Sequence, residues 1–308
     1  MPYNIVYVDE PTYLDTAFVS ELAKRGSVEL HFDRPSPTEL RTRLAAADIA
    51  VSEWSHFTAD AMPKGGRLKH IALLLSGLDT VDFASAADAG VSVSNCPRYC
   101  VDAVADHIIA CAYALARRMP AASRAGMAGL SHVYTPFLGR ELRGATIGLI
   151  GVGRIGRAVA KRAAQIGMRI IGCSRSGQPT PGVELMSMEN VISESDIVTV
   201  QLPYNGDTHG ILNARLLSRA KCDSLWINIG RFKLFCEASL AEALREQRIG
   251  GIALDECSYR MLGPVHAHGN AIVTPGTAWY TTRSREQNLR EVIENIDRIA
   301  PGGEHVSS

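Results

Sequence analysis

Short apolar runs, bounded by Gly, Pro, Asp or Ser, alternate along this chain with longer stretches whose apolar positions recur at helical spacing. In the first hundred residues the runs Ile5–Val8, Val28–Phe32, Ile49–Ser52, Leu68–Leu75 and Val91–Ser94 predict strands, with helices expected over 14–25, 37–47 and 83–89. A long alanine-rich helix is expected over 101–119. After Pro120 the small residues of 121–131 read as a connection. A second series follows, with strands expected from Ile147 and over 169–173, 197–202, 225–229, 251–254 and 271–273. Helices are expected between them over 155–166, 188–193, 212–218 and 238–246. In the final helix, 285–299, Leu289, Val292, Ile293 and Ile296 share one face, which is expected to pack on the first domain. Strand–helix alternation of this kind predicts parallel sheets flanked by helices. The fold expectation is α/β, with a domain of 101–280 inserted in a first domain built from 1–100 and 281–308.

Composition narrows the class. The chain has 308 residues, 46% apolar and 21% charged, enough for two cores. Thirty-two basic and 32 acidic residues cancel, so charge gives no case for nucleic acid or an anionic membrane as partner. No run approaches membrane-spanning length and the start carries no basic-then-apolar leader, which makes cytoplasmic the default expectation. Seven cysteines, odd in number and without a C-x-x-C pair, support neither a disulfide framework nor a metal site.

The chemistry enters at Gly151-Val-Gly153-Arg154-Ile155-Gly156, between the apolar run ending at Ile150 and a helix. This G-x-G-x-x-G signature, in strand–turn–helix context, is a dinucleotide-binding (Rossmann) unit. Gly151 permits the turn, Gly153 lets the backbone approach the phosphates, and Gly156 lets helix and strand pack closely. The helix N-terminus, from Arg154 and Ile155, offers amides to the pyrophosphate. An NAD-specific fold places an acid about 20 residues on, to hold the ribose 2′-hydroxyl. Here Ser174 and Arg175 follow the second strand. Serine and arginine welcome a 2′-phosphate that a carboxylate would repel. NADP is therefore favoured, with NAD the alternative.

Several ordered segments resemble the D-isomer-specific 2-hydroxyacid dehydrogenases: Ser76-Gly77-Leu78-Asp79, Val104-Ala105-Asp106-His107, Ser195 to Pro203, Ile227 to Arg231, Ala253-Leu254-Asp255 and Thr274 to Tyr280. Ala278-Trp279-Tyr280 is also similar to the C-terminal binding protein branch, which are nucleotide-binding corepressors. The resemblance implies a flavodoxin-like first domain, hydride transfer between a nicotinamide and a small 2-oxo or 2-hydroxy acid, and a homodimer. It implies substrate contacts at Ser76, Gly77 and Trp279. It implies cofactor contacts at Leu202, Pro203, Thr208, Ile229, Gly230, Arg231, Asp255 and Gly276.

The family's catalytic set is only partly present. Arg231 matches the arginine that holds the substrate carboxylate, a role suited to a bidentate guanidinium. Phe232 follows it where the family usually has glycine, which puts the turn and pocket shape in question. Thr-Pro-His reads Thr274-Pro275-Gly276, so the imidazole that moves the proton is missing. The usual spacing from Asp255 to the partner glutamate lands on Arg260. Glu256 is the only carboxylate near, and solvent is its default place. Substitute proton donors are sought in Tyr99, at the hinge into the long helix, and in His268 or His266, expected in an exposed loop. His107 reads as a satisfied helix histidine. The expected function is an NAD(P)-dependent oxidoreductase with a non-standard active site. The alternatives are a catalytically silent nucleotide-binding regulator and a lyase-type enzyme on the same fold.

Overall fold

The computed structural model describes residues 2–62 and 65–299, in two compact units, Met1–Cys100 with Thr281–Ser308, and Val101–Tyr280. The first unit begins β1 (Tyr3–Tyr7), α1 (Thr16–Ala23), β2 (Gly26–Leu30), α2 (Pro37–Ala46), β3 (Ile49–Ser52), β4 (His70–Leu73), α3 (Phe83–Asp88) and β5 (Ser92–Ser94). Its five strands are parallel in the order β2-β1-β3-β4-β5. That is the flavodoxin-like order, with its switch point between β1 and β3. Each helix starts on a side chain that accepts an orphan amide: Asp15 for α1, Ser36 for α2 and Asp82 for α3. At α2 the cap is reciprocal, because Glu39 reaches back to the Ser36 amide while Pro37 opens the helix. Val6, Val8, Leu40, Leu44, Phe57, Ile71 and Leu73 form its core.

The second unit runs α4 (Val101–Ala116), α5 (Met119–Met127), β6 (Thr146–Ile150), α6 (Arg154–Ile166), β7 (Arg169–Cys173), β8 (Glu184–Leu185), α7 (Met188–Glu194), β9 (Ile197–Val200), α8 (Ala214–Leu217), β10 (Leu225–Asn228), α9 (Glu237–Arg245), β11 (Gly251–Leu254), α10 (Tyr259–His268) and β12 (Ala271–Val273). The sheet is parallel in the order β12-β11-β10-β9-β6-β7-β8, so the switch point falls between β6 and β9. Strands β6, β9, β10 and β11 are buried at every position, as expected of a sheet covered on both faces. The last helix, α11 (Thr282–Asp297), returns to the first unit. There Glu291 receives Arg98, and Asn288 donates to the Leu74 carbonyl.

Three segments depart from the sequence expectation. The small-residue stretch after Pro120 is helical, not a connection. Arg118, at φ 50°, breaks the long helix, and Pro120 sits in the first turn of α5, where proline is at home. The segment 259–268 is helix α10 rather than a loop. Met261 and Val265, four residues apart, bury into the core of the second unit and override the cost of Gly263 and Pro264. Strand β8 has two residues and no periodic signal; its pairing with β7 extends the sheet edge.

His70 lies within β4, 4% exposed, with Nδ1 2.7 Å from Ser92 Oγ and Nε2 2.8 Å from Ser94 Oγ on β5. Burial pushes its pKa down to about 4. The folded value lies below the unfolded one, so the unfolded chain takes the proton first. Stability is full above about pH 6.5 and is lost as pH falls towards 4, by up to about 3 kcal/mol. Urea titrations of the wild type at pH 7 and pH 4.5 should show this loss, and His70→Asn should flatten it. An acid slope unchanged in His70→Asn would show that other groups cause it.

Candidate active site

Three glycines shape the turn between β6 and α6. Gly151 has φ +102°, and a Cβ there would meet the Gln201 carbonyl at 2.7 Å. At Gly156 a Cβ would lie 2.3 Å from the Gly151 carbonyl, so only glycine lets α6 start this close to β6. Gly153 differs: nothing lies within 4 Å of its Cβ direction, and no side chain caps α6 there. The helix has no acid in its first turn and presents bare amides at its N-terminus, with Arg154 and Ile155 as its first residues. Bare amides beside open space at a switch point fit a pyrophosphate. At the carboxyl end of neighbouring β7, Ser174 Oγ lies 3.1 Å from Ser176 Oγ, and Arg175 is exposed. Leu202 and Pro203 follow β9. Thr208 sits in the loop beyond them, its hydroxyl donating to the Pro203 carbonyl at 2.8 Å.

The carboxyl ends of β10, β11 and β12 bring the remaining chemistry together. Asn228, 1% exposed, turns the chain after β10. Its Oδ1 accepts from the Gly230 amide at 3.1 Å, and its Nδ2 donates to the Arg231 carbonyl at 3.2 Å. Ile229 and Gly230 are thus held in one turn leading to Arg231, which is half-buried. Phe232 does not crowd the edge. It is 4% exposed, packs against Phe235 at 6.4 Å between ring centres, and belongs to the core with Trp226. Phe232 thus turns into the core of the second unit.

Asp255, 6% exposed, lies at the end of β11. Its carboxylate accepts from Thr274 Oγ1 at 2.6 Å, the Thr277 amide at 2.9 Å and the Ala278 amide at 3.0 Å. Its carbonyl accepts from the Gly276 amide at 2.5 Å. The carboxylate thereby tethers the segment after β12. Gly276 consequently stands at φ +76°, and its Cβ direction has one neighbour within 4 Å, the Asp255 carbonyl at 4.0 Å. Position 276 is a glycine in a backbone conformation that L side chains avoid.

Glu256 does not face solvent alone. Oε1 accepts from the Phe232 amide at 2.7 Å, and Oε2 lies 3.8 Å from Arg231 Nη1. The sequence reading missed this because the residue has no family counterpart. Arg231 and Glu256 lie three and two residues beyond Asn228 and Leu254, the paired ends of neighbouring parallel strands, so the chain gave their strand placement but not their pairing.

His268 is the last residue of α10, and its Nε2 is 2.9 Å from the Ile249 carbonyl, just before β11 begins. That is the amino edge of the sheet, opposite Arg231 and Gly276, so His268 is no substitute acid. His266 is on the same helix. Tyr99 belongs to the first unit and is 7% exposed; burial pushes its phenol well above the ordinary tyrosine range. Ser76 and Gly77 form the turn after β4 in the first unit, where the Ser76 carbonyl accepts from Asn95. Trp279 is partly buried and meets Tyr280 edge-on at 5.2 Å. His107 Nε2 is buried with no hydrogen-bond partner among the described residues, contrary to the satisfied histidine expected. Among those residues no cluster suits a metal ion, and no helix is long and apolar enough to cross a membrane.

Comparison with known proteins fits this geometry. Residues 109–278 match the model of the D-isomer specific 2-hydroxyacid dehydrogenase family, NAD binding domain. A glyoxylate reductase of Aeropyrum pernix is 32% identical over 91% of this chain and 89% of its own. The chain belongs to this family. A glycerate dehydrogenase of Methylorubrum extorquens is 28% identical, covering 87% of each chain. Among solved structures, an acyclic imino acid reductase in complex with NADPH and D-Arg is 37% identical, with a TM-score of 0.94 over 99% of this chain and 100% of its own. Members of this dehydrogenase family are oxidoreductases acting on small molecules, and this chain carries the family's nicotinamide-dinucleotide domain.

The left-handed backbone at position 276 makes restoration of the imidazole a sharp test. Gly276→His should lower stability by about 1–2 kcal/mol in urea titration and gain no reduction of 2-oxo acids. Unchanged stability together with new 2-oxo acid turnover would show that the backbone there is compatible with the family's usual chemistry.

Proposed function

We propose that this protein is an NADPH-dependent reductase of 2-imino acids. The observation that carries the reading is Gly276, where the proton-transferring imidazole of the family reaction has no counterpart. A reduced nicotinamide, when bound, supplies a hydride to an electrophilic carbon. A 2-oxo acid receiving it also needs a proton at oxygen, and a positioned acid is typically worth ~10²–10⁴-fold. An iminium carries its protons already and is the stronger electrophile, so the site can dispense with a general acid. Arg231 holds the substrate carboxylate, the role its guanidinium suits. Support comes from the 37% identity to an acyclic imino acid reductase, which covers nearly the whole of both chains. The cofactor is NADPH because Ser174 and Arg175 stand where a carboxylate would exclude a 2′-phosphate.

The reading includes a homodimer formed through the second unit. Met127, Leu130, Tyr134 and Leu138, in and after α5, are 80, 57, 76 and 83% exposed. An apolar stretch of that kind marks a surface that a partner covers.

Assays should follow reduced-nicotinamide absorbance with pyruvate alone, and with pyruvate plus ammonium to form the imine. Turnover should require ammonium, and Arg231→Ala should lower kcat/KM by at least about 100-fold. Ser174→Asp should shift preference from NADP towards NAD. Equal turnover without ammonium would contradict the substrate class, and tighter wild-type binding of NAD than NADP would contradict the cofactor.

A further inference from the structure

We propose that Glu256 is the residue by which this site selects an iminium over a carbonyl, an inference that rests on the imino acid reading above. Three geometric facts point to it. Its carboxylate is oriented: Oε1 is fixed by the Phe232 amide at 2.7 Å. Its second oxygen faces Arg231 Nη1 at 3.8 Å, an ion-pair distance too long for a hydrogen bond, and accepts no hydrogen bond among the described residues. It is also one peptide from the place the family imidazole would occupy, because the Asp255 carbonyl that leads into Glu256 receives the Gly276 amide at 2.5 Å.

Charge decides what such a carboxylate does. A 2-imino acid in its iminium form is a zwitterion, and Arg231 with Glu256 presents the complementary pair. The guanidinium meets the carboxylate, and Oε2 accepts from the iminium N–H. Hydride adds to C2, the C=N π pair moves onto nitrogen, and a neutral amine results. The dihydronicotinamide is oxidised, the iminium is reduced, and the step consumes no proton. A 2-oxo acid offers no N–H to Glu256, and negative charge would grow on its oxygen facing a carboxylate. The arrangement therefore works against the carbonyl as well as for the iminium, as discrimination between near-isosteres requires.

The test is Glu256→Gln, which keeps the size of the side chain and the acceptor for the Phe232 amide, with Glu256→Ala beside it. Calorimetry with the NADP-loaded protein measures D-alanine, whose ammonium mimics the iminium charge, and D-lactate, which lacks it. Kinetics compare pyruvate with and without ammonium. Glu256→Gln should bind NADPH as the wild type does and lose about tenfold in D-alanine affinity while D-lactate holds or tightens. The kcat/KM ratio for imine over oxo acid should fall by at least about tenfold. Parallel loss for both ligands would reduce Glu256 to a positioning residue for Arg231, and no change in either would remove it from the site; each overturns the proposal. If the wild type itself reduces no imine, the underlying reading fails first, and that result is visible before any variant is made.

Discussion

One buried carboxylate sets the chemistry at this edge of the sheet. Asp255 takes the Thr274 hydroxyl and the Thr277 and Ala278 amides, and its own carbonyl takes the Gly276 amide. These bonds wind residues 274–278 around the end of β11. They bring position 276 to φ +76°, where a residue with a side chain is strained. The backbone at 276 thus suits the glycine that stands there. Arg231 and Glu256 then make a cation–anion pair where the family's usual set is a cation with a proton donor.

The cofactor half rests on a different constraint. Helix α6 begins so close to β6 that a methyl group at Gly156 would meet the Gly151 carbonyl, and this proximity aims uncapped amides at open space beside Gly153. Hydride chemistry needs a fixed donor and a fixed acceptor carbon. The glycine turn at β6 and the Asn228 turn at β10 supply rigid backbone on either side of β9. Neither depends on a long flexible side chain.

The strand–helix alternation was legible because fully buried parallel strands leave continuous apolar runs: β3, β7, β11 and β12 fall on the residues their runs indicated. So was the glycine turn, whose spacing has one mechanical meaning. Legibility failed where tertiary packing decided. Pro264 and Gly263 read as a loop, yet Met261 and Val265 bury and hold α10 together. At the site, the position of Arg231 after the end of a strand could be read. The placement of Glu256 could not, since it is set by a residue twenty-four positions away, the Phe232 amide that donates to Oε1. His268 misled for the same reason: proximity in sequence to β12 put it at the wrong edge of the sheet. Nor could residue types alone reveal that the Asp255 carboxylate holds residues 274–278 in a turn.

The account stands or falls on whether the substrate brings its own proton. The most direct measurement is the solvent deuterium isotope effect on hydride transfer, taken in a single turnover with NADPH and an imine formed from pyruvate and ammonium. A ratio near unity is expected, because no proton moves as the C–H bond forms. A clear normal isotope effect, with the rate limited by a proton in flight, would mean that a protein group or ordered water supplies an acid after all.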